Sequence, residues 1–140
     1  MKYAINATGV SKPDGYYSQA TTCGRFIFIS GQTGCRKRAQ AHANEEAYAR
    51  ASADALGVRE EFAAQIDEIM QTFTRILAEV NCTREDIAEL SIQLVSLDLV
   101  PLLNELMPSY FGLPAPARTL IVVQSLPADA LIQISCTACR

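Results

Sequence analysis

REEFAAQIDEIMQTFTRILAEV, residues 59–80, decides the architecture. Within it Phe62, Ile66, Ile69, Phe73, Ile76 and Val80 recur at alternating spacings of four and three, while Glu61, Asp67, Gln71 and Arg75 fall off that line. At about 3.6 residues per turn this spacing draws one apolar stripe down a helix, and a helix with one apolar face packs on a sheet. Asn81 follows where a left-handed residue closes a helix, and Thr83 with Asp86 has the spacing of a capping box for one further turn.

Toward the C-terminus, Ile87–Leu97 alternates Leu90, Ile92, Leu94 and Ser96 against Ser91, Gln93 and Val95, the period of a strand. A shorter helix is predicted from Val100, with Pro101 tolerated in its first turn, running toward Phe111 and shortened by Pro108. Pro114 and Pro116 stiffen the approach to a strand at Arg118–Gln124. Leu126-Pro127-Ala128-Asp129 then turns the chain into a last strand, Leu131–Cys139, and these two strands read as a hairpin.

Toward the N-terminus, Lys2–Thr8 reads as an edge strand and Ser11–Gly15 as a turn cluster. Tyr17–Thr22 is joined through Gly24 to the buried strand Arg25–Ser30, which Gly31 closes. Between Cys35 and Gly57 the composition shifts to Ala, Arg and Glu. Asn44 is placed to cap a short helix through Tyr48 and Leu56, with Gly57 ending it, so the segment reads as a surface insertion. The sum is one α+β domain over residues 1–140, a mostly antiparallel six-stranded sheet with two main helices on one face. The opposite face is left for a partner.

Composition narrows the class of function. The 140 residues are 49% hydrophobic and 19% charged with a net charge of -3, which suits a folded domain and gives no basic footprint for nucleic acid. No apolar run approaches the roughly 20 residues of a membrane span or resembles a secretory leader, so the cytoplasm is the expected compartment. Five cysteines, at 23, 35, 82, 136 and 139, form no disulfide framework. Of the 27 charged residues only Asp98, Glu105, Arg118, Asp129 and Arg140 lie from Leu90 onward. A closing third so poor in charge is expected to be buried on more than one side, in the core or against other subunits.

Arg118 opens an apolar strand, where its planar fork suits a carboxylate held by two parallel hydrogen bonds. The same residue also reads as half of an ion pair or as a strand end in water. Gln133 shares one face of the last strand with Leu131, Ser135 and Thr137. That polar face either lines a wet cavity or subunit seam or meets solvent. Tyr17 offers a phenol after a turn, or covers a core edge, and Asn104 offers an amide to a ligand, to a cap or to water. Cys136 and Cys139 stand three apart on a strand and so on opposite faces, which disfavours a redox or zinc pair; His42 is alone in the Ala-rich segment. No metal site is expected.

Several segments together resemble one family. Gly15-Tyr16-Tyr17-Ser18-Gln19-Ala20 is similar to the G-P-Y-S-Q-A segment of RidA/YjgF proteins, and Ile29-Ser30-Gly31-Gln32 to their hydrophobic-S-G-Q strand end. Leu103-Asn104 with Tyr110-Phe111 resembles their V-N…F-F helix. Pro116-Ala117-Arg118-Thr119, Leu126-Pro127 and Leu131-Ile132-Gln133-Ile134 resemble the closing P-A-R…L-P…E-I pattern, and residues 63–97 lie on the family's helix–strand unit without a gap.

The resemblance implies a chorismate-mutase-like fold in a homotrimer, with three sheets forming a central barrel and ligand clefts between subunits. It implies hydrolysis of 2-aminoacrylate-type enamines and their 2-imino acid tautomers to keto acids and ammonia, without metal or organic cofactor. Arg118 would hold the substrate carboxylate, Tyr17 and Asn104 would shape the pocket, and backbone near Gly31 would supply hydrogen bonds. Gln133 occupies the position of the family's acidic residue, which positions the attacking water, and an amide cannot take a proton. Tyr16 replaces the usual Pro, and the 35–57 segment is longer than the family's loop. Related functions thereby stay open: a deaminase of 2-aminomuconate-type products, a sensor or binding protein for small carboxylates, or a purely structural partner.

Overall fold

The long helix, α1, spans Ala55–Ala78 in the computed structural model, which describes residues 1–34 and 55–140. Phe62, Ile66, Ile69, Phe73 and Ile76 are fully buried along it, as are Met70 and Leu77. Each such side chain contributes roughly 1.5–3 kcal/mol on leaving water. The helix closes as the sequence predicts. Asn81 has a φ of 57°, the Cys82 N–H reaches the Leu77 carbonyl at 3.0 Å and the Asn81 N–H reaches the Ala78 carbonyl at 3.1 Å. This pair of bonds is a Schellman motif, with Cys82 buried beside Leu77. The Asp86 carboxylate then accepts from the Thr83 N–H at 2.7 Å.

Gly57 does not end a preceding helix; it lies inside α1. The cost of one helical glycine, about 1 kcal/mol, is smaller than what burying the neighbouring Val58 and Phe62 returns. The expected Asn44-capped helix, together with His42 and Cys35, lies outside the described residues.

Six strands form one sheet in the order β1-β2-β3-β6-β4-β5: β1 Lys2–Ile5, β2 Ala20–Cys23, β3 Phe26–Thr33, β4 Ile87–Leu94, β5 Ala117–Val122 and β6 Ile132–Cys139. All pairings are antiparallel except β4 with β5, which run parallel. The expected closing hairpin is therefore absent. The second helix, α2 at Val100–Leu106, carries the chain back from the end of β4 to the start of β5, and such a crossover returns a strand parallel to its predecessor. β6 instead inserts on the other side of β4, between β4 and β3. Pro108 limits α2 as predicted, leaving a single tighter turn at Met107–Ser109.

Both helices cover one face. Arg59 of α1 pairs with Glu105 of α2, its Nη1 at 3.1 Å from Oε2, and the Tyr110 hydroxyl donates to Asp67 at 3.1 Å. On the other face Phe26 and Phe28 are exposed, while Ile27 and Ile29 beneath the helices are buried. The stretch expected to be a wholly buried strand is thus buried on one side only. It also does not end at Gly31. β3 passes through a bulge at which Ser30 and Gly31 together stand opposite Ser135, and it continues to Thr33. Just beyond, Gly34 lies against α1 so closely that a Cβ there would fall 2.3 Å from the Gln65 Cα. The buried Gln65 amide accepts the Leu131 N–H at 2.9 Å and donates to Glu61 at 3.0 Å, tying the entry of β6 to the helix.

Candidate functional site

Parallel pairing sets Arg118 beside Leu90 and Leu120 beside Ile92, so the Arg118 side chain leaves β5 on the helix-covered side of the sheet. There its Nη1 donates to the Asn104 Oδ1 at 2.8 Å. Among the described residues no carboxylate pairs with this guanidinium, which leaves the remaining N–H groups of the fork directed at no protein acceptor. The pair stands at a cavity of about 490 Å³ whose walls are Leu90, Met107, Pro108, Phe111, Leu113 and Pro116. A cation against apolar walls attracts an anion that carries its own apolar part. Nearby, Arg59 holds the Glu105 carboxyl below the usual range through its hydrogen bonds, and that acid is thereby occupied. Burial and the bond to Asp67 push the Tyr110 phenol up.

A second group forms at the bulge. Gln133 leaves β6 on the open face, since Ile132 and Ile134 on either side are buried beneath the helices. Its Nε2 donates to the Gln93 Oε1 at 3.2 Å. A Cβ on Gly31 would fall 2.9 Å from that same Nε2, so the glycine is what allows the amide to lie across the bulge. Gly31, Gln32, Tyr17 and Asp14 border a further cavity of about 260 Å³. The Tyr17 hydroxyl donates to Asp14 Oδ1 at 2.9 Å, and this hydrogen bond is the main cause of a raised phenol pKa.

The loop carrying Tyr17 is built on Gln19, a buried amide that accepts the Ala7 N–H at 2.7 Å and donates to the Val10 and Ser11 carbonyls. Ser30 fastens the other side, its hydroxyl donating to the Ser18 carbonyl at 2.7 Å. Neither role is visible in the sequence, where Gln19 reads as part of the strand arm Tyr17–Thr22; the strand itself begins only at Ala20, because Gln19 is occupied in holding the loop. Asp14, three residues before Tyr17 in the turn cluster, has a spacing that could have flagged the pairing.

The structure therefore brings the predicted residues together in two sets, not one. Arg118 and Asn104 form the first; Gly31 joins the second, meeting Gln133 across the bulge and bordering the same cavity as Tyr17. Two strand spacings separate β5 from β6 and three separate it from β3, roughly 10 and 14 Å, and Arg118 and Gln133 leave opposite faces.

The family profile described as Endoribonuclease L-PSP matches residues 9–140. The chain belongs to this family, RidA/YjgF. A RutC family protein of Pyrococcus horikoshii is 28% identical over 138 residues, covering 99% of this chain and 98% of its own. A 2-iminobutanoate/2-iminopropanoate deaminase of the mite Dermatophagoides farinae is 28% identical, covering 95% and 92%. The crystal structure of RidA from an Antarctic Psychrobacter superposes with a TM-score of 0.78 at 23% identity, covering 99% of each chain. The RidA-type fold, a mixed six-stranded sheet with two main helices, is thus shared at full length.

Against the RidA/YjgF pattern, Tyr16 stands fully exposed in place of the usual Pro and touches neither set. Cys136 is buried under the helices while Cys139 faces the other way, as their spacing predicts. Among the described residues no three His, Cys, Asp or Glu side chains gather as metal ligands, and no helix is long and apolar enough to cross a membrane.

Proposed function

We propose that the protein is a hydrolytic deaminase of small enamines and imines of the 2-aminoacrylate and 2-imino acid type, yielding a keto acid and ammonia. The observation that carries this reading is the Arg118 fork, steadied by Asn104 at the lip of an apolar cavity and free of any carboxylate among the described residues. It is a carboxylate grip in waiting. The mite relative's activity on 2-imino acids gives the reading its chemistry. No metal or organic cofactor is called for, because the carbon of a protonated imine is already electrophilic. The protein has to orient substrate and water.

Since each chain holds two separate sets, the complete site would lie between neighbouring copies, with Arg118 and Asn104 from one and Tyr17, Gly31 and Gln133 from the next. A homotrimer with its exposed aromatic sheet faces inward is the assembly that accommodates this. No nucleic acid or membrane enters the proposal. Ammonia release from 2-iminopropionate and from 2-aminomuconate, measured beside Arg118→Ala, tests it and separates the small from the larger substrate. Equal rates in wild type and variant would remove Arg118 from the mechanism.

Gln133 favours a second reading, a binding protein or sensor for small carboxylates. Its amide can orient water but cannot accept the proton. If Gln133→Glu creates activity that the wild type lacks while both bind a 2-keto acid, that reading replaces the first.

A further inference from the structure

The amide at Gln133 leaves the deaminase reading short of a proton acceptor. The cavity beside Gly31 contains three charged side chains, Lys12, Asp14 and Glu68. Only Asp14 among them is joined to a residue of the candidate site, through the 2.9 Å bond from the Tyr17 hydroxyl. That bond uses the phenol's proton; the Asp14 backbone N–H also faces the oxygen, and in a residue 54% exposed the second lone pair is left to accept from water. The geometry also explains how a carboxylate reaches this place. Asp14 sits in a turn, and Gln19 locks that loop by three hydrogen bonds to Ala7, Val10 and Ser11.

We infer that Asp14, acting through the Tyr17 phenol, supplies the proton acceptor that Gln133 cannot provide. The inference rests on the deaminase reading above and deepens it. Water donates one hydrogen bond to the phenol oxygen and attacks the iminium carbon. As the new C–O bond forms, the C=N π electrons pass to nitrogen, the water proton moves to the phenol oxygen and the phenol proton moves to Asp14. The product is the neutral carbinolamine. The same proton returns through the phenol to the amine nitrogen, the C–N bond breaks with its electrons leaving on ammonia, and the hydroxyl proton of the resulting keto acid passes to that ammonia. Iminium and water thus become keto acid and ammonium, with Asp14 ionised again. Tyr17 is the catalytic residue, and Asp14 acts only through it, positioning the phenol and holding its proton between the two steps.

The test is a double-mutant cycle on the intact protein, read as ammonia release above the spontaneous rate. Asp14→Asn keeps a hydrogen-bond acceptor for the phenol but no charge, and is expected to lower kcat about 100-fold with KM changed less than about twofold. Asp14→Glu should recover most of the loss. In the Tyr17→Phe background, Asp14→Asn should have no further effect, because the carboxylate has then lost the group it acts through. An unchanged kcat in Asp14→Asn, or an equal fall in both backgrounds, overturns the inference. In that case a wild type that remains active and sensitive to Arg118→Ala leaves the deaminase reading standing. A wild type that binds a 2-keto acid but releases no ammonia overturns both. Both side chains are exposed, so thermal melting of each variant should match the wild type, and a kinetic loss is then not a folding loss.

Discussion

The β5 edge and the β3–β6 bulge are built from opposite materials. At the edge, a guanidinium and an amide meet a cavity walled by Met107, Pro108, Phe111 and Leu113. At the bulge there is a phenol on a carboxylate, an amide on an amide, and backbone bared by a glycine. The first is suited to holding an organic anion, the second to handling water and protons. Sheet geometry keeps them apart within one chain, because β4 and β6 intervene and the two sets leave different faces. On the proposed deaminase reading, binding and chemistry fall to separate pieces of surface, which a symmetric assembly can bring together.

The largest effect is expected when each set is disabled in a different chain. Arg118→Ala removes a charge-assisted grip and should cost roughly 100-fold in kcat/KM, with Arg118→Lys between, since a point charge cannot hold both carboxylate oxygens. Tyr17→Phe should cost a comparable factor. Refolding the two inactive variants together should then restore activity at roughly a quarter of the sites, the fraction at which random mixing joins an intact edge to an intact bulge. Activity that never returns on mixing would place both sets in one chain's site and end the two-copy proposal.

The chain at the bulge and just past it holds a second, smaller contrast. Gly34→Ala puts a Cβ 2.3 Å from the Gln65 backbone, which cannot yield without moving α1, so a loss of about 3 kcal/mol is expected in denaturant unfolding. Gly31→Ala meets only the Gln133 amide at 2.9 Å, the far end of a flexible side chain. Its stability should change by less than about 1 kcal/mol, while the displaced amide lowers kcat. Equal stability losses in the two variants would mean that Gln133 is held as rigidly as helix backbone.

How much of this was legible in the sequence follows from which interactions were local. The α1 stripe, the Asn81 closure and the Thr83–Asp86 turn depend on residues a few positions apart, and each appears where the spacing put it. The parallel placement of β5 was not legible, because pairing across a crossover is decided by which strand edge is free. Nor was the ladder through the bulge, since Gly31 looks like a stop when read along the chain and like a clearance when read against Gln133. Arg118, Asn104, Tyr17 and Gln133 were identifiable as residues, and the family pattern supplied the roles proposed for them. Their division into two sets was not, because strand order and face are properties of the sheet.

The smallest expected effect concerns the two faces of β6, where Gln133 and Ser135 lie on the open side and Cys136 points under the helices. Burial pushes the Cys136 thiol up to about 12, with the Glu89 charge adding to it. An unfolded thiol ionises near 8.5, so the folded state holds its proton where the unfolded state has released it. Stability from this source is complete below the unfolded value and is lost as pH rises from there toward the folded one. Against Cys136→Ala, wild-type unfolding free energy should therefore fall by up to about 1.4 kcal/mol per pH unit above pH 9 and run parallel below it. Subtracting the two curves removes every contribution that the two proteins share. Curves that stay parallel throughout would mean that the thiolate is solvated in the folded protein, and that the helix side of β6 is as wet as the side carrying Gln133.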